Sequence, residues 1–115
     1  MSSAVVFGAT GLIGSELLVE LCGRGDVTSV AAYGRRPPKL EHSKITFVSG
    51  RFESLHEDLQ GWTPKVVFIA LGTTIKKAGS QAAFRDVDFR MVVEAAAWAK
   101  AVGAPTLVLV SSVGA

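Results

Sequence analysis

Three glycines stand at intervals of three in Gly8-Ala9-Thr10-Gly11-Leu12-Ile13-Gly14, directly after the apolar run Ala4-Val5-Val6-Phe7 and before leucines at helical spacing. Such a turn suits a phosphate. The first glycine permits a sharp bend, the second lets an anion approach the backbone, and the third lets helix and strand pack closely, while free amides at the helix N-terminus face the charge. Its position between strand and helix separates this pattern from an ordinary glycine-rich cap. Twenty residues beyond Gly14, where a site for an unmodified adenosine ribose would carry Asp or Glu, the chain reads Gly34-Arg35-Arg36. Two guanidiniums suit a phosphate on the ribose 2′ oxygen, which takes forked charge-assisted hydrogen bonds and would repel a carboxylate. The pair predicts NADP(H) as cofactor.

Later segments add polar groups at strand ends. Leu71-Gly72-Thr73-Thr74 follows an apolar run, and Gly72 would let the backbone pass close to the adenosine ribose or the nicotinamide side. Ser111-Ser112-Val113-Gly114-Ala115 follows another, and a hydroxyl there could polarise a substrate carbonyl, although two serines at a strand end are often turn formers. Phe52, after the third strand, is placed near an adenine. Lys76 and Lys77 read as solvated loop residues with no assigned role. Asp88 falls on an apolar helical stripe, where a carboxylate needs hydrogen-bond partners, and it is expected to tie helix to strand rather than act as a general base. His42, His56 and Cys22 have no ligand-like spacing, so no metal site is expected. Trp62 and Trp98 read as packing residues.

The elements that must position these groups alternate. A strand over residues 4–7 leads through the glycine turn to a helix with Leu12, Leu17, Leu18 and Leu21, ending by Gly23 and Gly25. Strands are predicted over residues 27–33 and 44–48, with no helix between them because Pro37 and Pro38 interrupt the segment. Residues 53–59 predict a short amphipathic helix, and residues 66–71 a strand covered on both faces, since every position is apolar. A long helix over residues 80–102 carries its stripe at Phe84, Met91, Val92, Ala95 and Ala99 and stops at Gly103 and Pro105, before a fifth strand over residues 106–110. Right-handed crossovers then give a doubly wound parallel sheet, a Rossmann fold of order 3-2-1-4-5. The helices at residues 15–22 and 53–59 are expected on one face and the long helix on the other. That leaves apolar side chains of strands four and five exposed, so self-association as a homo-oligomer, or a further C-terminal segment, is expected.

Composition bounds the rest. The 115 residues predict one nucleotide-binding domain, 1–115, with 49% hydrophobic and 19% charged residues, which excludes a disordered chain. A net charge of +2 is too small an electrostatic footprint to predict nucleic-acid binding. No apolar run approaches the roughly 20 residues of a membrane span. A single cysteine and the absence of a basic, apolar leader predict a cytoplasmic protein.

Taken together, Gly8 to Gly14, Gly34-Arg35-Arg36, Leu71-Gly72-Thr73-Thr74 with Lys77-Ala78-Gly79, Val87-Asp88 and Ser111 to Ala115 resemble the atypical short-chain dehydrogenases/reductases, in the Tat-interacting oxidoreductase-like branch. The resemblance covers the whole chain. It implies an NADP(H)-binding Rossmann domain, with Gly8, Gly11 and Gly14 on the pyrophosphate, Arg35 and Arg36 on the 2′-phosphate, Ser112 as catalytic serine and Ser111 beside it. Two departures follow from the same comparison. The family commonly places Asp after strand three, where this chain has Gly50-Arg51-Phe52, and its Tyr-x-x-x-Lys pair lies beyond the serine. The only tyrosine here, Tyr33, belongs to strand two. The expectation is therefore the cofactor half of an oxidoreductase acting on a carbonyl or hydroxyl of an unspecified small molecule. It would be a piece of a protein about twice as long or a short module; the alternative function is a non-catalytic NADP(H)-sensing or protein-binding role.

Overall fold

A computed structural model describes residues 2–8, 12–50, 52–70 and 81–109 of the chain; for residues 2, 12 and 81–89 the backbone alone is described. The elements are β1 (Ser2–Phe7), α1 (Leu12–Cys22), β2 (Val27–Gly34), β3 (Ile45–Ser49), α2 (Leu55–Asp58), β4 (Val66–Ile69), α3 (Gln81–Ala101) and β5 (Thr106–Leu109). All adjacent strands are parallel, in the order β3-β2-β1-β4-β5. This is the Rossmann-like sheet that the alternating pattern predicts. Residues 35–44 carry no helix, as Pro37 and Pro38 require. Just past the C-terminus of α1, Lys44 Nζ donates to the carbonyls of Cys22 at 3.2 Å and Arg24 at 2.9 Å, the latter also accepting from the Val27 N–H at 3.4 Å, so a cation sits where the helix ends.

Register places one row of side chains straight across the sheet: Val48, Tyr33, Phe7, Ile69 and Leu109. Pleat alternation sends this row and the row of Ala31, Val5 and Val67 to the same face. There they pack against Leu55 and Leu59 from the α2 segment and Ala95, Trp98 and Ala99 of α3. The opposite face, with Ala4, Val6, Val30 and Ala32, packs on Leu18 and Leu21 of α1, and Leu40 from the β2–β3 connection adds partial cover.

Three expectations are corrected here. The segment carrying α2 shares its face with α3, not with α1. Connections from β1 through β2 to β3 walk toward one edge of the sheet and those from β3 through β4 to β5 walk back, so crossovers of constant hand put α1 on one side and both α2 and α3 on the other. Next, β4 is not covered equally on both faces: Val67 and Ile69 are buried beneath the helices, while Val66 and Phe68 on the α1 face are half-buried, because α1 packs on the β1–β2 side. Finally, of the two strands expected to expose apolar side chains only β5 does so, with Leu107 46% and Leu109 59% accessible, while β4 has no fully exposed residue. Those leucines lie on the face that holds α3, and the helix covers the sheet interior but not its edge row. Boundaries shift more modestly, with α2 reduced to the four residues Leu55–Asp58.

Candidate functional site

The carboxyl ends of the strands come level at one edge. Phe7 stands beside Tyr33 and Ile69, and the ladder runs one step further on each side: Ala70 N–H donates to the Phe7 carbonyl at 2.9 Å and Gly50 N–H to the Gly34 carbonyl at 3.1 Å. Gly8, Arg35, Gly50 and Ala70 thus leave the sheet together. The order in which strands join the sheet reverses between the parallel neighbours β1 and β4, and in open α/β sheets that switch point opens a crevice for ligands.

Gly8 has φ +89°, a conformation that a side chain would strain, and four residues later α1 begins. That is the geometry expected of the first glycine. Ala9, Thr10 and Gly11 lie outside the described residues; Leu12, Ile13 and Gly14 form the first turn of α1, whose leading amides lack intrahelical acceptors. Arg35 and Arg36 follow β2 directly, both exposed, and among the described residues neither guanidinium is in an ion pair. Two exposed guanidiniums directly after β2, neither engaged by a described carboxylate, fit an anionic ligand there.

Phe52 sits where the sequence placed it, at the exit of β3, but its ring turns toward the core. Centroid distances are 5.0 Å to Tyr33 and 5.5 Å to Phe7. Its backbone has φ +68°, left-handed and costly for a bulky residue, and its N–H donates to Tyr33 Oη at 3.0 Å. Tyr33 Oη in turn donates to Asp58 Oδ2 at 2.7 Å. Burial first, and then this bond, push the phenol up to about 12. Gly50 completes the group, because a Cβ there would collide with Tyr33 Oη and Asp58 Oδ2. Sequence reasoning missed this cluster. Tyr33 and Asp58 are 25 residues apart, and the only available signal was a lone tyrosine in a strand otherwise made of small and aliphatic residues.

Leu71, Gly72 and Thr73, like Lys76, Lys77, Ser111 and Ser112, lie outside the described residues, as does the side chain of Asp88. Cys22 is at the opposite end of α1, and burial pushes its thiol up, so it is not an activated nucleophile. A cleft of about 310 Å³ between the α2 segment and α3 is walled by Glu53, Glu57 and Glu94 with Trp98, a poor lining for phosphates. Among the described residues no His, Cys, Asp and Glu gather as a metal site, and no helix is long and apolar enough to cross a membrane.

Comparison with known proteins agrees with this arrangement. The sequence profile of the NAD(P)H-binding family matches residues 8–115. Among curated proteins, the chain is 39% identical over 111 residues to a protein named "Protein FMP52, mitochondrial" from Meyerozyma guilliermondii, covering 95% of this chain and 48% of that relative. It is 35% identical to "Protein fmp52-2, mitochondrial" of Aspergillus terreus over 117 residues, covering 99% and 51%. The chain thus spans about half the length of the curated relatives it matches. Among solved structures, an oxidoreductase from Lactococcus lactis aligns with TM-score 0.68 at 18% identity, covering 96% of this chain and 48% of that one. A dTDP-glucose 4,6-dehydratase from Bacillus anthracis, solved in complex with NAD, aligns with TM-score 0.71 at 18% identity, covering 97% and 38%. At these identities the structural likeness concerns the fold. The relatives' names, all of them mitochondrial, overturn the cytoplasmic expectation: cysteine usage reports on the redox state of a compartment and does not choose among reducing ones.

Proposed function

The chain belongs to the NAD(P)H-binding family, and from that premise we propose that it binds NADP(H) across the β1–β4 switch point as the nucleotide-binding unit, residues 1–115, of an oxidoreductase. The observation that carries the reading is the edge where Gly8, with its positive φ, and Arg35 and Arg36, in no ion pair among the described residues, emerge together from adjacent parallel strands. On this reading Gly8, Ala9, Thr10, Gly11, Leu12, Ile13 and Gly14 hold the pyrophosphate with backbone amides and the N-terminus of α1. Arg35 and Arg36 hold the 2′-phosphate, and Phe52 underlies the adenine. Leu71, Gly72 and Thr73 pass the ribose and nicotinamide, with Gly72 keeping the backbone close.

When bound, the cofactor supplies hydride to a carbonyl or takes it from a hydroxyl. This chain's contribution is to orient the cofactor at the sheet edge. Ser112, with Ser111 beside it, donates a hydrogen bond to the substrate oxygen and so stabilises the charge that develops there. The substrate is a small molecule with a carbonyl or hydroxyl group.

Titration of the 115-residue chain with NADPH, followed by nucleotide fluorescence, tests the reading. Wild type should bind, and Gly11→Val, which fills the space assigned to the pyrophosphate, should abolish binding while circular dichroism stays unchanged. A folded Gly11→Val variant that binds NADPH as well as wild type removes the phosphates from this turn.

A further inference from the structure

The turn leaving β3 is fixed by one phenolic oxygen. Tyr33 Oη accepts from the Phe52 N–H at 3.0 Å and donates to Asp58 Oδ2 at 2.7 Å, so β2, the turn and α2 meet at a single atom. The fit is tight, since Gly50 has no room for a Cβ against those same two side chains. Without the phenol, Phe52 would lose the bond that holds its left-handed backbone, and the aromatic packing with Phe7 and Tyr33 would have to hold the turn alone.

The location gives this arrangement its purpose. Gly50 N–H bonds the Gly34 carbonyl, so the β3 exit turn stands next to the point where Arg35 and Arg36 leave β2. Adenine is attached to the same ribose that carries the 2′-phosphate. With that phosphate on Arg35 and Arg36, Gly50 and Phe52 at the exit of β3 are the neighbouring wall for the base among the described residues. A planar base gains from a wall that is already rigid, because ordering it on binding would cost conformational entropy.

Resting on the NADP(H) reading above, we propose that Tyr33 and Asp58 are positioning residues for the adenosine end of the cofactor. They hold the β3 exit turn as a preformed wall for the base without touching the cofactor. Tyr33→Phe removes the oxygen, and Asp58→Ala removes its acceptor; Asp58→Asn keeps a side-chain oxygen that still accepts from the phenol.

The test measures dissociation constants for NADPH and for adenosine 2′,5′-bisphosphate, which retains the adenosine end and lacks the nicotinamide. Leu21→Ala serves as a control that destabilises the opposite face, away from the turn. Tyr33→Phe and Asp58→Ala should weaken both probes by about five- to tenfold, the worth of one lost hydrogen bond. Asp58→Asn should restore most of the affinity, and Leu21→Ala should leave both probes at wild-type affinity. Unchanged binding in Tyr33→Phe and Asp58→Ala overturns the proposal, as does equal weakening by Leu21→Ala, because the effect would then follow from stability alone. If wild type binds neither probe, the cofactor reading itself fails, a result distinct from normal wild-type binding with indifferent variants.

Discussion

Phe7 and Trp98 meet edge to face, with ring centroids 5.9 Å apart and planes at 81°. The last residue of β1 thereby leans on α3, immediately before the glycine turn. Anchor and turn are adjacent in sequence, so the packing of the face that holds α2 and α3 fixes the direction in which the chain enters the proposed site.

Truncating that anchor should be expensive. Trp98 is 2% exposed, and Trp98→Ala is expected to cost about 3–5 kcal/mol, whereas Val19→Ala at an exposed position of α1 should stay within about 0.5 kcal/mol. Urea unfolding of the two variants beside wild type checks the contrast. Similar losses for both would mean that α3 does not seat Trp98 on the sheet.

Gly50→Ala should destabilise by about 1–3 kcal/mol, since the added methyl meets Tyr33 Oη and Asp58 Oδ2. Removing the phenolic oxygen takes away the closest obstacle and releases Asp58 from its bond, although the ring carbon Cζ that Phe retains still crowds the methyl. The Gly50→Ala, Tyr33→Phe double variant should then lose less than the sum of the single losses. Additive losses in a double-mutant cycle would place the collision elsewhere.

Tyr33 also predicts a pH dependence. Its phenol is held up to about 12 in the folded chain against an ordinary value of 10.0, by burial first and the bond to Asp58 second. Between those values the folded state keeps a proton that the unfolded state has released, so the contribution is fully present below pH 10 and is lost as pH rises through 12. The stability advantage of wild type over Tyr33→Phe should therefore be constant from pH 7 to 9 and shrink above pH 10. A difference that does not change up to pH 11.5 would contradict the raised value.

Sheet order and parallel sense were legible from the alternation of apolar runs with helical spacing, and the lack of a helix after β2 from Pro37 and Pro38. The face taken by α2 was also implicit in the hand of the crossovers, but the expectation followed chain order instead of the reversal at β3. The sharp turn at Gly8 and the place of Arg35 and Arg36 at the end of β2 could be read because both are local: a turn and a strand end. The Tyr33–Asp58 bond could not, because it depends on register and on where a four-residue helix docks. In sequence Asp58 resembles any solvated helical acid. Exposure of Leu107 and Leu109 on β5 was expected, whereas the burial of Val67 and Ile69 on β4 was hidden, since the runs at β4 and β5 are similarly apolar and only the lateral position of α3 distinguishes an interior strand from an edge.

The central claim is that the end of β2 selects the phosphorylated cofactor, and paired calorimetric titrations with NADPH and NADH, on wild type and on an Arg35→Ala, Arg36→Ala double variant, test it most directly. Charge-assisted hydrogen bonds contribute about 1.5–3 kcal/mol each, so wild type should prefer NADPH by at least about tenfold. The double variant should lose that preference while its NADH affinity stays within about twofold of wild type. Equal affinities of wild type for the two cofactors, or NADPH binding untouched by loss of both arginines, would contradict the assignment.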